Sequence, residues 1–211
     1  MTEVDRPGPG EELNQSGTET VPRQAASVIV LRGGGDALEL LLVKRNPEAR
    51  FMGGAWVFPG GALDREDGAG EDALRVTALR ELAEEASVVI EDRDALVPYS
   101  RWITPEVVRV RFDTRFFLIP APADADPQPD GAETVAARWI APADALEAHT
   151  RDELTLVFPT IKHLEQFAGF DSADALLAHA RVSEVQPVLP KVIDTGETAR
   201  IVLPGEPGYD A

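Results

Sequence analysis

Apolar, β-branched-rich residues fill positions 25–31 and 39–43, and Gly33-Gly34-Gly35-Asp36 separates them. Two such runs joined by a glycine-rich turn predict a β-hairpin. Val76, Leu79, Leu82, Ala83 and Ala86 recur at helical spacing, which predicts an amphipathic helix over 71–86 with these five facing the core. Residues 107–119 alternate instead, with Val108, Val110, Phe112, Thr114, Phe116 and Leu118 set against Arg109, Arg111, Asp113 and Arg115. That period of two predicts one long strand with a single buried face. A polar, Pro-rich loop over 121–133 precedes a strand-like TVAARWI at 134–140. Helical stretches follow at about 142–148, 158–168 and 173–181, the last opened by Ser172 as N-cap. Residues 1–22, rich in Pro, Gly, Glu and Thr, have almost nothing to bury, and a disordered tail is expected there. Four prolines from Pro187 onward predict an extended C-terminal tail. Mixed strands with a few helices indicate an α/β or α+β sandwich, one domain over 23–211 with a C-terminal helical extension.

Composition narrows the chemistry. The 211 residues, 44% of them hydrophobic, suffice for one sizeable core. Thirty-seven acidic against 20 basic residues give a net charge of −17, which repels nucleic acid and anionic lipid. Zero cysteines exclude disulfides, thiolate zinc sites and thiol nucleophiles. No apolar run approaches the ~20 residues of a membrane span, and the N-terminus lacks the charged-then-apolar order of a signal peptide. The expectation is a soluble, cytoplasmic protein that partners neither nucleic acid nor membrane; a homodimer is left open.

Excess acid can also recruit metal. On the helix, Glu81, Glu84 and Glu85 fall close together opposite the expected apolar side. Taken alone, RELAEE reads as the solvated face of an ordinary helix. Three features argue otherwise. Like charges at i, i+4 weaken a helix unless a cation sits among them. Carboxylates are the hard oxygen ligands that Mg²⁺ shares with substrate phosphates. Upstream, Gly60 and Gly61 of FPGG permit a close backbone approach that a Cβ would obstruct.

The stretch Arg80-Glu81-Leu82-Ala83-Glu84-Glu85-Ala86-Ser87-Val88 resembles the Nudix hydrolase signature. Ser87 stands where that family has glycine. Eighteen residues, 62–79, separate Gly61 from Arg80, where the family has thirteen. The upstream motif glutamate is therefore left between Asp72, at the right distance, and Glu71, of the right chemistry. The resemblance implies an α+β, Nudix-type α/β/α sandwich with a mixed sheet and additional C-terminal helices. It implies a hydrolase of nucleoside diphosphate derivatives that uses Mg²⁺ or Mn²⁺. Glu81, Glu84 and Glu85 would bind the cation, with the Gly61 carbonyl, and Arg80 would orient a helix carboxylate. A further loop acid often precedes a strand tryptophan in the family, and Glu133, six residues before Trp139, falls there. Its plainer reading is a solvated carboxylate. His149, His163 and His179 share no ligand spacing and are assigned no chemistry. Arg109, Arg111 and Arg115 share one predicted strand face, solvated or open to an anionic substrate.

Substrate class has its own pattern. Leu41-Leu42, Arg45, Arg50, Gly54 and Phe58-Pro59-Gly60-Gly61 resemble the extra signature of the coenzyme A diphosphatases within that family, with Asn46 for the usual Ser or Ala and Val43 for Thr. The resemblance implies coenzyme A or acyl-coenzyme A as substrate, with Arg45, Arg50 and Gly60 in its binding. Two arginines suit a molecule carrying a 3′-phosphate beside its diphosphate. The alternatives are ADP-ribose, NADH or another nucleoside diphosphate derivative, and a catalytically silent nucleotide sensor.

Overall fold

The computed structural model describes residues 3–4, 14, 20–34, 37–49, 52–194 and 199–210. Strands β1 (Glu3–Val4), β2 (Arg23–Arg32), β3 (Glu39–Arg45), β4 (Trp56–Val57) and β5 (Gly60–Ala62) precede helix α1 (Glu71–Ala86). Then come β6 (Val97–Ile103), β7 (Phe112–Pro120), β8 (Thr134–Ile140) and the helices α2 (Pro142–Thr150), α3 (Phe158–Phe167) and α4 (Ala173–Val182). Three short strands end the chain: β9 (Pro187–Val188), β10 (Lys191–Asp194) and β11 (Ala199–Val202).

The main sheet runs β4-β3-β2-β7-β6-β9, with β5 also on β2 and β8 also on β3. It is mixed: β2–β7 and β6–β9 are parallel, the other pairings antiparallel. Both faces are covered, which explains why β2 is buried almost throughout. Ala26, Val28 and Val30 face α1 through Leu74, Ala78 and Leu82. Ile29 and Leu31 face the opposite way, toward α2–α4 through Ala145, Leu164 and Leu177. The result is the expected α/β/α sandwich.

The hairpin forms, pairing Leu31 with Leu40 and Arg32 with Glu39. The sequence missed β6, whose Pro98 cannot donate to a ladder and sits at a register shift against β7. It also overextended the strand over 107–119. The chain turns first, Val108 N–H donating to the Pro105 carbonyl at 3.1 Å, and pairing starts only at Phe112. Val110 is therefore exposed and Arg111 buried, the reverse of the expected alternation. Backbone carbonyls make that burial tolerable: Arg111 donates to Thr104 O (3.0 Å) and Thr20 O (2.7 Å).

The extended C-terminal tail pairs into a second sheet, β1-β11-β10. Of the N-terminal stretch expected to be disordered, the described parts are tied down. β1 pairs with β11, Asn14 N–H donates to Val107 O (2.6 Å), and the Thr20 hydroxyl to Arg109 O (3.0 Å). An edge strand offers unpaired backbone groups that even a polar tail can satisfy. The remainder of 1–22 lies outside the described residues, as does Arg50. Among the described residues no helix is long and apolar enough to cross a membrane.

Candidate active site

Helix α1 supplies the acids and β5 the glycines. Gly60 pairs opposite Ser27 and Gly61 opposite Ala26. A Cβ on Gly61 would collide with the Glu81 carboxylate, and one on Gly60 with the β2 backbone, 2.6 Å from Ala26 O. Close approach to backbone thus requires glycine at position 60, whereas a Cβ at position 61 would displace the Glu81 carboxylate. α1 ends at Ser87, whose φ of 56° and ψ of 22° are left-handed, which is why glycine suits this position. Residues buried on α1 are Ala73, Leu74, Thr77, Ala78, Leu82, Glu85 and Ala86. The inward face is therefore rotated from the expected one. Glu85, expected to face solvent, is 2% exposed.

Glu85 is held from two sides. Its Oε2 accepts from Gly60 N–H at 2.9 Å, and Arg45 Nη1 stands 3.8 Å from its Oε1. Burial pushes its carboxyl up to about 7, and repulsion from Glu81 and Glu133 adds to the shift. Burial likewise raises Glu81, against the pull of Arg80, while Glu84 and Glu133 add repulsion. Glu84 is more exposed.

Arg80 organises the cluster. Its Nη1 donates to Glu81 Oε1 and Glu84 Oε2, each at 2.9 Å. The far side of the guanidinium is gripped by Asp67: Nε donates to Oδ1 and Nη2 to Oδ2, both at 2.9 Å. Asp67 is buried, also accepts from Asp64 N–H at 3.0 Å, and lies 2.9 Å from the Thr77 hydroxyl. The Arg80 hydrogen bonds hold its carboxyl down at about 2. Neither sequence-selected acid makes this contact. Glu71 and Asp72 are exposed in the first turn of α1, where Asp72 pairs with Arg93 at 3.3 Å. The lengthened loop folds back through a 3₁₀ turn, Arg65–Asp67, and delivers an aspartate instead. Spacing from the helix could not reveal it, because the loop returns through space.

Glu133 sits on a loop pinned to the end of α1. The Thr134 hydroxyl donates to Glu85 O at 2.6 Å, and Gln128 N–H to Ala86 O at 2.9 Å. Asp130 accepts from Glu133 N–H (3.0 Å) and Thr134 N–H (2.7 Å). Asn46, the departure from Ser or Ala, clamps the same loop: its N–H donates to Glu133 O and its Nδ2 to Ala132 O, each at 2.8 Å.

Glu81, Glu84, Glu85, Glu133, Arg80, Arg45, Gly60 and Gly61 are thereby brought to one end of the sheet. Arg109, Arg111 and Arg115 are not gathered: Arg109 is an exposed loop residue, Arg111 is buried, and Arg115 lies in β7. His163 is buried among Phe58, Tyr99, Trp102, Phe116 and Phe167, and burial drops it to about 3, so it is a neutral core residue.

The donor set fits a divalent cation. Its donors are hard carboxylate oxygens, and Glu81 and Glu85 are raised first by burial and further by neighbouring glutamates, a charge that a cation would offset. Among the described residues no three acids already converge on one point, since Glu81 and Glu84 both turn to Arg80. Beside Gly60 and Gly61 opens a cleft of about 230 Å³ that Arg45, Trp102, Phe112 and Phe158 also line.

A family model, the NUDIX domain, matches residues 21–158. The chain belongs to the Nudix hydrolase family. Its fold superposes on a crystal structure of a NUDIX hydrolase from Alicyclobacillus acidocaldarius with a TM-score of 0.70 at 29% identity, covering 78% of this chain and 99% of that one. A Caenorhabditis elegans relative named "Putative nudix hydrolase 7" is 26% identical over 209 residues, 82% of this chain and 69% of the relative. A human relative, acyl-coenzyme A diphosphatase NUDT19, is 29% identical over 120 residues, 54% of this chain and 32% of the human protein.

Proposed function

We propose that this chain hydrolyses the diphosphate of coenzyme A or acyl-coenzyme A in the cytoplasm, with a divalent cation, releasing 3′,5′-ADP and 4′-phosphopantetheine. One observation carries the reading: Arg45, Gly60 and Gly61 line the apolar cleft, and Arg45 also reaches Glu85. A diphosphate laid across that junction meets a guanidinium and the acidic cluster at once, with room beyond for an uncharged arm. Mg²⁺ or Mn²⁺ held by Glu81, Glu84, Glu85 and the Gly61 carbonyl would neutralise the diphosphate and acidify bound water.

The chain's own groups do the rest. Arg80, anchored by Asp67, fixes the rotamers of Glu81 and Glu84. Glu133 accepts the proton of the attacking water as its oxygen bonds to phosphorus and the bridging P–O bond breaks. Arg45 and Arg50 bind the anionic oxygens of the substrate. ADP-ribose or NADH is the second reading, favoured by the aromatic residues Trp102 and Phe112 in the cleft lining.

A panel of coenzyme A, dephospho-coenzyme A, ADP-ribose and NADH with Mg²⁺ and Mn²⁺ tests the proposal. Losing a charge-assisted contact to the 3′-phosphate, worth about 1.5–3 kcal/mol, lowers kcat/KM for dephospho-coenzyme A roughly ten- to a hundredfold. Equal efficiency on both, or a preference for ADP-ribose or NADH, overturns the substrate assignment.

A further inference from the structure

The cleft beside Gly60 and Gly61 has a far wall that the Nudix-box residues do not build. Val192 of β10 and Ile201 of β11 are register partners, so their side chains share one face of the C-terminal ribbon. Both line the cleft, as does Pro190 at the start of the ribbon. The ribbon is anchored: β9, just before it, pairs Val188 with Trp102 of β6, and the Tyr209 hydroxyl donates to Leu189 O at 2.8 Å. Trp102, Val108, Phe112 and Phe158 supply the adjoining apolar surface.

The lining offers little to a polar ligand. Arg45, at the glycine end, is the one charged side chain among the described lining residues. The lining hydroxyls are those of Ser27, which donates to Pro59 O at 2.9 Å, Thr104, Thr114 and Thr160, and none belongs to the ribbon. A purine laid against the ribbon wall, Pro190, Val192 and Ile201, meets no polar side chain there, a cost that an alkyl chain does not incur.

We infer that the C-terminal ribbon is a specificity element: Val192 and Ile201 wall a channel for the acyl chain of an acyl-thioester substrate and set the chain length accepted. This rests on the coenzyme A reading above and goes beyond it by assigning the acyl group a place. Gly60 and Arg45 line the channel and also hold Glu85, at 2.9 Å and 3.8 Å, so a ligand in the channel lies next to the carboxylate cluster.

The test is calorimetric binding of an acyl-coenzyme A series, acetyl to palmitoyl, to the full chain in chelator, where hydrolysis is suppressed. Each buried methylene should strengthen binding about fourfold, until the chain outgrows the channel and affinity levels off. Ile201→Phe should move that plateau to shorter chains, and Val192→Phe, the second variant, should do the same; circular dichroism verifies that each is folded. Affinity independent of chain length in the wild-type protein overturns the inference. So does an unmoved plateau in both folded variants. Hydrolysis of the same series with Mn²⁺ separates the two readings. Length-dependent binding without turnover removes the coenzyme A diphosphatase function but keeps the acyl channel. Turnover of coenzyme A with flat acyl dependence does the opposite.

Discussion

Replacing Glu85 by glutamine should stabilise the metal-free protein while removing its response to metal. Glu85 is almost fully buried, and burial lifts its carboxyl from 4.5 to about 7. A raised acid pKa means the native state binds a proton more tightly than the unfolded state, so stability is lost as pH rises from the unfolded value through the folded one. The shift of about 2.5 units corresponds to roughly 3 kcal/mol at pH 8 and to less than about 1 kcal/mol at pH 5. Glutamine keeps an acceptor for Gly60 N–H and carries no charge. In chelator at pH 8, Glu85→Gln should therefore melt roughly 5–10 °C above wild type, with the gap shrinking toward pH 5. Adding Mn²⁺ should raise the wild-type melting temperature and leave the variant nearly unmoved. A variant less stable than wild type in chelator at pH 8, or a gap that does not narrow at pH 5, would refute the argument that the buried charge costs more than Gly60 and Arg45 offset. On the proposed function a cost in turnover is expected alongside, since losing a cation ligand would remove several kcal/mol of transition-state stabilisation.

Asp67→Asn should destabilise the protein by about 2–3 kcal/mol at pH 7, because the carboxyl is held near 2 by Arg80. In the wild type this contribution is present above pH 4 and fades as pH falls toward 2; urea midpoints that coincide for both proteins at pH 7 would contradict it. Ser87→Gly should raise stability by about 1 kcal/mol, since the left-handed cap strains any residue with a Cβ; a lower melting temperature in the glycine variant would show that Ser87 contributes a contact of its own.

Much of the fold was legible because it rests on periodicities that the backbone enforces. Helix α1 (Glu71–Ala86), β8 (Thr134–Ile140) and the Ser172 N-cap, which accepts from Ala175 N–H at 3.2 Å, are local matters of spacing and capping. The acids of α1 and the glycines of β5 were also visible, since their types and intervals identify them without any partner. Where the sequence misled, a distant partner had changed the local answer. Alternation marked Arg111 as a solvated side chain, yet carbonyls from two other segments bury it. Three-residue and four-residue spacing put Glu85 with Glu81 and Glu84, but the sheet against which α1 packs took Glu85 inside and left Glu84 out.

The sequence by itself determined that a cluster of carboxylates would stand near the paired glycines, which the structure places in β5. Only the tertiary structure decided which acid anchors Arg80, because the longer loop breaks the motif's spacing and Asp67 reaches the guanidinium through space. It alone decided, too, that a C-terminal ribbon lines the cleft, since distant segments meet a site through packing and not through spacing.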